Sequence, residues 1–362
     1  MTHGRRTARS ALAVLVAAAL AASLPAAAPA GPVPTWAYYY IWFDPSSWNR
    51  AKSDYPLLGR YSSDESSVMR THVRLAKQAG IDGFIVSWKS TPVLDRRLQL
   101  LADVAAGEDF KLAIIYQGLD FERRPLPVAR ISRDLDLFAR TFALLPALSG
   151  PGKPLVIWSG TWEFSLRKLA SVTSRHRDRL RILASERNAS DYKAKARAFD
   201  GDAYYWSSVN PSTYGDYPGK LAEMGRAVHA TGGQWLAPAA PGFDGRLVGH
   251  PTVVPRRDGD TLRRELEAAQ RSDPDAIALI SWNEFSENSH IEPSKRYGAT
   301  ALEVLADVNR TRLRVSDELD SSQPAGSRIA GPGAIPATLA FVALGLGCVY
   351  LLSRWRRSHD AR

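Results

Sequence analysis

The sequence predicts a (β/α)8 barrel, and three features carry that expectation. Eight short apolar runs alternate with longer helical patterns, and they do so over about 250 residues, the count and size of such a barrel. The last run, Ala276 to Ile280, is apolar throughout, as a parallel strand covered on both faces must be. Aromatic and polar residues collect just after the runs, at the end of a barrel where sites form. A doubly wound open sheet is the runner-up. No Gly-rich phosphate turn follows the first run, however, and the candidate site residues are spread too widely for one.

The first strand is expected over Trp36 to Trp42 and the second over Gly83 to Trp88. Between them a helix runs from about Ser66 to Ala79. Val68, His72, Leu75 and Ala79 share one face of it, Asp64 and Glu65 stand at its positive end, and Gly80 stops it. A helical stretch over Asp95 to Ala106 leads to the third strand, Lys111 to Tyr116. Another, Ser132 to Leu145, leads to the fourth, Leu155 to Trp158. Arg181 to Ala184 is a fifth, weaker candidate, and Ala203 to Trp206 is the sixth. A helix around Leu221 to Ala230 precedes the seventh, Gln234 to Ala237, and one over Thr261 to Arg271 precedes the eighth, Ala276 to Trp282. A last helix covers about Thr300 to Asn309.

The two ends stand apart from this pattern. Arg5, Arg6 and Arg9 precede an apolar run, Ala11 to Leu24, and the small-residue sites Ala26-Ala27-Ala28 and Ala28-Pro29-Ala30, so residues 1–30 are expected to be a signal peptide. Residues 31–312 form the barrel domain and 313–333 a flexible linker. Ala334 to Leu352 carries no charge and is long enough to cross a bilayer, which makes residues 334–353 the expected transmembrane helix. The basic tail 354–362, with Arg354, Arg356 and Arg357, stays cytoplasmic and leaves the barrel outside the cell membrane. Leader and tail each hold +3 of the net charge of +10, and the +4 between them, without an arginine-rich run, gives no basis for nucleic-acid binding. The only cysteine, Cys348, lies in the membrane segment, so the barrel has no disulfide and no thiolate nucleophile. Its histidines show no metal-ligand spacing, and no metal site is expected.

The ends of the strands supply the candidate site. They carry Tyr40, Trp42 and Asp44; Trp88 and Lys89; Tyr116 and Gln117; Trp158; Glu186 and Arg187; Trp206; Asp244; then Asn283, Glu284 and Glu287, with His290 and Glu292 beyond. Five strands end in tryptophan: Trp42, Trp88, Trp158, Trp206 and Trp282. A single tryptophan there is as often packing as platform, but five together favour an aromatic wall for sugar rings. The surrounding amides and carboxylates suit a ligand covered in hydroxyls. Paired carboxylates at a barrel mouth suit acid/base work on a glycosidic bond. Glu284 and Glu287 are three apart, which on a helical turn separates Cβ atoms by roughly 5–6 Å. That suits a retaining hydrolase better than an inverting one. Two carboxylates so close split their pKa values, although spacing alone does not say which keeps the proton.

From Trp36 to Gly298 the chain resembles glycoside hydrolase family 99, the endo-α-mannosidase and endo-α-mannanase group. The likeness rests on Ala37 to Phe43 (AYYYIWF), Leu75 to Trp88 (LAKQAGIDGFIVSW), Phe199 to Tyr204 (FDGDAY), Pro241 to Asp244 (PGFD), and above all Asn283-Glu284-Phe285-Ser286-Glu287 with Ile291-Glu292-Pro293. The resemblance implies a barrel without a metal or other cofactor, acting on an oligosaccharide or polysaccharide. It implies retention through a 1,2-anhydro sugar, with Glu284 as base on the 2-hydroxyl and Glu287 as general acid/base. Tyr40, Trp42, Trp88, Tyr116, Gln117, Trp206, Asp244, Asn283 and His290 are then the expected substrate contacts. Phe285 and Ser286 stand where the family has Trp and His, Asn288-Ser289 where it has Gly-Thr, and Tyr116-Gln117-Gly118 where a strand end usually offers a carboxylate. The expected substrate is a mannan or mannose-containing glycan; an α-glucan, or glycan binding without catalysis, is the alternative.

Overall fold

The computed structural model describes residues 33–150 and 152–321. The segments expected as signal peptide and transmembrane helix lie outside them. Among the described residues, no helix is long and apolar enough to cross a membrane.

Eight parallel strands form one sheet: β1 (Thr35–Tyr40), β2 (Gly83–Trp88), β3 (Lys111–Gln117), β4 (Leu155–Ser159), β5 (Arg181–Leu183), β6 (Gly201–Ala203), β7 (Gln234–Ala239) and β8 (Ala276–Leu279). Their order is β5-β4-β3-β2-β1-β8-β7-β6. A parallel bridge from Ala184 to Asp202 then joins the two ends, with Ala184 N–H donating to the Gly201 carbonyl and Ala203 N–H to the Ala184 carbonyl, both at 2.9 Å. The sheet is a closed barrel, which leaves no unpaired edge. Gly201 permits the close approach of β6 to β7: its φ is +151°, and a Cβ there would lie 2.0 Å from the Gln234 carbonyl oxygen.

Each strand is followed by a helix: α1 (Ser66–Gln78), α2 (Pro92–Gly107), α3 (Val128–Thr141), α4 (Leu166–His176), α5 (Ala189–Lys195), α6 (Tyr217–His229), α7 (Asp260–Arg271) and α8 (Thr300–Asn309). Helix starts follow from local chemistry. Thr91, Asn188 and Asp216 accept the N–H groups of Leu94, Asp191 and Gly219, respectively. Gly80 (φ +78°) ends the first βα unit, where the Asn309 amide donates to the carbonyls of Ala79 and Gly80 and ties α8 to α1. Val315–Ser321, inside the stretch expected as linker, is a ninth helix (α9); Glu318 accepts from Gln78 at 2.9 Å, docking it on α1.

The period-two alternation of the strands divides the apolar residues into two layers. Tyr38, Ile85, Ala113, Ile115, Ile157, Leu183, Ala203, Leu236, Ala278 and Ile280 fill the barrel interior. Their strand neighbours, among them Phe84, Val86, Ile114, Val156, Trp235 and Ile277, pack outward against the helices.

Candidate active site

Beyond β8 the chain folds back on itself and holds two glutamates at the barrel mouth. Trp282 N–H donates to the Tyr38 carbonyl of β1 at 2.7 Å, and Ser281 and Ile291 exchange backbone bonds with Ser289 and Ser281 to close the loop. Within it, residues 285–288 form a turn. Asn288 occupies its left-handed position, φ +52°, a conformation that asparagine tolerates better than any residue except glycine.

Asn283 is fully buried and binds the backbone of β1 from both sides. Its Oδ1 accepts from Tyr40 N–H at 2.8 Å and its Nδ2 donates to the Tyr40 carbonyl at 3.0 Å. Glu292 accepts from the Tyr61 hydroxyl (2.8 Å) and pairs with His72 Nε2 (3.1 Å). The tautomer that donates there leaves His72 Nδ1 to accept from the Tyr39 hydroxyl at 2.9 Å. His290 is likewise buried, 3.1 Å from Asp54 through Nε2 and stacked on Phe285 at 3.9 Å between centroids. Burial and the Arg256 charge push its pKa down to about 3, so it is a neutral imidazole at any working pH. These groups hold the loop against β1 and α1 and do not reach the mouth.

Glu284 and Glu287 do. Glu284 N–H donates to Ser281 Oγ at 2.9 Å, and the Glu284 carboxylate accepts from Ser286 N–H at 2.8 Å and from the Ser286 hydroxyl. Burial raises its pKa; those donors and the Lys52 charge oppose the rise. Glu287 has no such donors. Burial and the charge of Glu284 push it up to about 8, against Arg123. The pair therefore shares one proton, with Glu284 the better site for the negative charge and Glu287 for the hydrogen. Two phenols face them: the Tyr40 and Tyr205 hydroxyls lie 2.7 Å apart, and burial together with the two carboxylates keeps both protonated.

The other expected contacts divide. Trp42, 42% exposed, stacks on Tyr40 at 4.3 Å and opens to solvent. Gln117 points inward at the end of β3 and donates to Ser87 Oγ at 3.1 Å. Asp244 lies beside the loop after β8, its N–H on the Glu287 carbonyl (2.8 Å) and its carboxylate held by both arms of Arg246. Trp88 and Tyr116, by contrast, face the helices. Trp88 is fully buried against Tyr116, Phe138 and Phe142 and donates to Asp95; the Tyr116 hydroxyl donates to Asp134. Trp158 and Trp282 are buried in the same outer layer, and Trp206 stacks on Tyr217 of α6 at 5.0 Å. The aromatic wall expected from five tryptophans thus reduces to Trp42 with Tyr40 and Tyr205. Side-chain alternation is the reason: Trp88 and Tyr116 are out of phase with Ile85 and Ile115, which face inward. Tyr205, two residues after inward-facing Ala203, carries the opposite signal; it, Ser281, Ser286 and Lys52 join the site although none is among the expected contacts.

Among the described residues no group of three or more His, Cys, Asp and Glu side chains is placed to hold a metal ion.

The family model for glycosyl hydrolase family 99 matches residues 45–309. Among solved structures, the chain is similar to the GH99 endo-alpha-mannosidase from Bacteroides thetaiotaomicron in complex with Bis-Tris-propane, with a TM-score of 0.66 and 20% identity over 80% of this chain and 97% of that one. A second structure of the enzyme from that organism gives 0.66 and 18%, covering 82% and 100%. A glycoside hydrolase-like protein gives 0.60 and 16%, covering 80% and 98%. No curated protein sequence matches. At these identities the structures establish the shared barrel, while the family match spans nearly all of it. The chain belongs to glycosyl hydrolase family 99 and is a glycoside hydrolase.

Proposed function

We propose that the protein is a retaining, endo-acting α-glycosidase that cleaves α-mannosidic linkages in a mannan or a mannose-containing glycan. One observation carries the mechanism: two carboxyls on a single turn, one supplied with hydrogen-bond donors and the other held protonated. Glu284, stabilised as the anion, takes the proton of the 2-hydroxyl, and that oxygen attacks the anomeric carbon to give a 1,2-anhydro sugar. Glu287 gives its proton to the departing glycosidic oxygen, then takes one from the water that opens the anhydro ring at the anomeric carbon, while Glu284 returns its proton to the 2-oxygen. Two inversions at that carbon give net retention. Trp42 offers a stacking face for a sugar ring, and Tyr40 and Tyr205 offer hydroxyls beside the reacting carbon.

The test is a panel of α-mannans and α-glucans with anomeric outcome read by NMR, followed by the same substrate with its 2-hydroxyl replaced by hydrogen. Wild type should release retained mannose-terminated products and leave the 2-deoxy substrate intact. Glu284→Gln and Glu287→Gln should each lower kcat by about 100- to 10,000-fold. Inversion, or a glycosyl group trapped covalently on Glu284, would overturn the mechanism. Preferential cleavage of α-glucans would replace the substrate. We also propose that the enzyme is exported and tethered with its barrel outside the cell membrane, a reading supported by the sequences of residues 1–30 and 334–353. Recovery of the full chain in the soluble cytoplasmic fraction would refute it.

A further inference from the structure

The loop between β3 and α3 leaves the sheet at the barrel mouth, and its tip is locked. Asp120 N–H donates to the Arg124 carbonyl at 2.9 Å, the Asp120 carboxylate accepts from Glu122 N–H (2.9 Å) and Arg124 N–H (2.8 Å), and Leu119 bridges to Pro125. Arg124 turns back onto Asp120 (3.0 Å) and Glu122 (2.8 Å), which neutralises both acids of the tip. Phe121 and Arg123 are left projecting. Phe121 is 62% exposed, with the Lys89 ammonium 4.3 Å from its ring centre. Arg123 holds φ +61°, a left-handed conformation that is strained for a bulky side chain. It forms no ion pair among the described residues, yet its charge acts on Glu287. The base of the loop is neutral, Gln117 and Ser87 being bonded to each other.

We propose that Phe121, Arg123 and Lys89 form a subsite on the leaving-group side for a sugar that carries an anionic substituent, a phosphate or a carboxylate. The side follows from Glu287, so the proposal rests on that residue being the acid of the glycosidase reading. Phe121 offers an apolar face to the sugar C–H groups, Arg123 a planar fork to two oxyanion oxygens, and Lys89 a second positive charge above the ring. A neutral glycan would leave Arg123 without a partner in the filled cleft.

The experiment uses the full-length chain and three matched α-manno-oligosaccharides: neutral, phosphorylated, and uronate-bearing on the sugar next to the scissile oxygen. Wild type should favour a charged substrate over the neutral one by about 10-fold in kcat/KM, the size of one charge-assisted hydrogen-bonded contact. Arg123→Ala should bring that ratio to near unity through KM, Arg123→Lys should keep part of it, and Arg271→Ala, an exposed arginine of α7, should leave it in place. Which charged arm is preferred identifies the substituent. A wild-type ratio near one, or a ratio unaffected by Arg123→Ala, overturns the subsite. If the neutral glycan is cleaved with no preference, only the subsite fails. If none of the three is cleaved, the glycosidase reading fails, and calorimetric binding of the same glycans to wild type and Arg123→Ala decides the subsite by the same ratio.

Discussion

Glu287→Gln isolates the effect of the proton on Glu287 from the rest of the side chain. Burial and the charge of Glu284, against Arg123, move this carboxyl from 4.5 to about 8. A group raised in this way keeps its proton in the folded chain across a pH range where the unfolded chain has released it. Its contribution to stability is full below about pH 4.5, declines as pH rises, and is gone once the pH has passed about 8. At about 1.36 kcal/mol per unit, the shift corresponds to about 5 kcal/mol. Glu287 is only half-buried, so water screens its charge, which reduces the expected loss to about 1–3 kcal/mol. Glutamine keeps the size and stays neutral throughout. Urea unfolding of wild type and variant should agree within about 0.5 kcal/mol near pH 5, and near pH 9 the variant should be the more stable by about 1–3 kcal/mol. The kcat/KM of wild type should fall over the same rise through about 8, as the acid is lost. Parallel stability curves for the two proteins would refute the assignment of the proton to Glu287.

Asn283→Ala should destabilise the fold by about 2–4 kcal/mol in urea, because it strips two buried backbone groups of Tyr40 of their partners; a loss below about 0.5 kcal/mol would mean that the clamp is dispensable. Trp42→Ala should raise KM while leaving stability within about 0.5 kcal/mol. Trp88→Ala should do the reverse, costing about 3–5 kcal/mol with KM on the folded fraction unchanged, since it empties a site between sheet and helices. An increase in KM for Trp88→Ala equal to that for Trp42→Ala would contradict the outward placement of Trp88.

The barrel was legible because it rests on repeated, local signals. All eight strands fall within or beside the apolar runs that predict them, displaced by a few residues at most. The misplacements have a common cause. β1 stops at Tyr40 rather than Trp42, β6 at Ala203 rather than Trp206, and β8 at Leu279 rather than Trp282, because aromatic residues extend the apolar pattern past the end of the regular ladder; Trp282 N–H still reaches the Tyr38 carbonyl, but from the loop. Helix α4 was not anticipated, although Leu169, Val172, Thr173 and His176 are buried along it at helical spacing, because Ser, Thr and Arg dilute its apolar stripe. Helix α5, at seven residues, has too few turns to show a period.

At the site, chain order was legible and direction was not. Proximity to a strand end places a residue at the correct height in the barrel; only its phase relative to the inward-facing residues tells whether it points at the ligand or at a helix. Counting in twos from Ile85, Ile115 and Ile157 reaches Ser87, Gln117 and Ser159, whereas Trp88, Tyr116 and Trp158 lie one step off. Side-chain direction also accounts for the departures from the family pattern. Phe285 turns away from the mouth to pack on Trp48 and His290. Asn288 stands at φ +52°, where glycine is the unstrained choice and asparagine the next, and its amide gains a bond to the Tyr297 hydroxyl at 3.0 Å. Ser286, by contrast, contributes donors to the Glu284 carboxylate. The changes around the two glutamates are therefore confined to positions that shape the turn or donate to the Glu284 carboxylate.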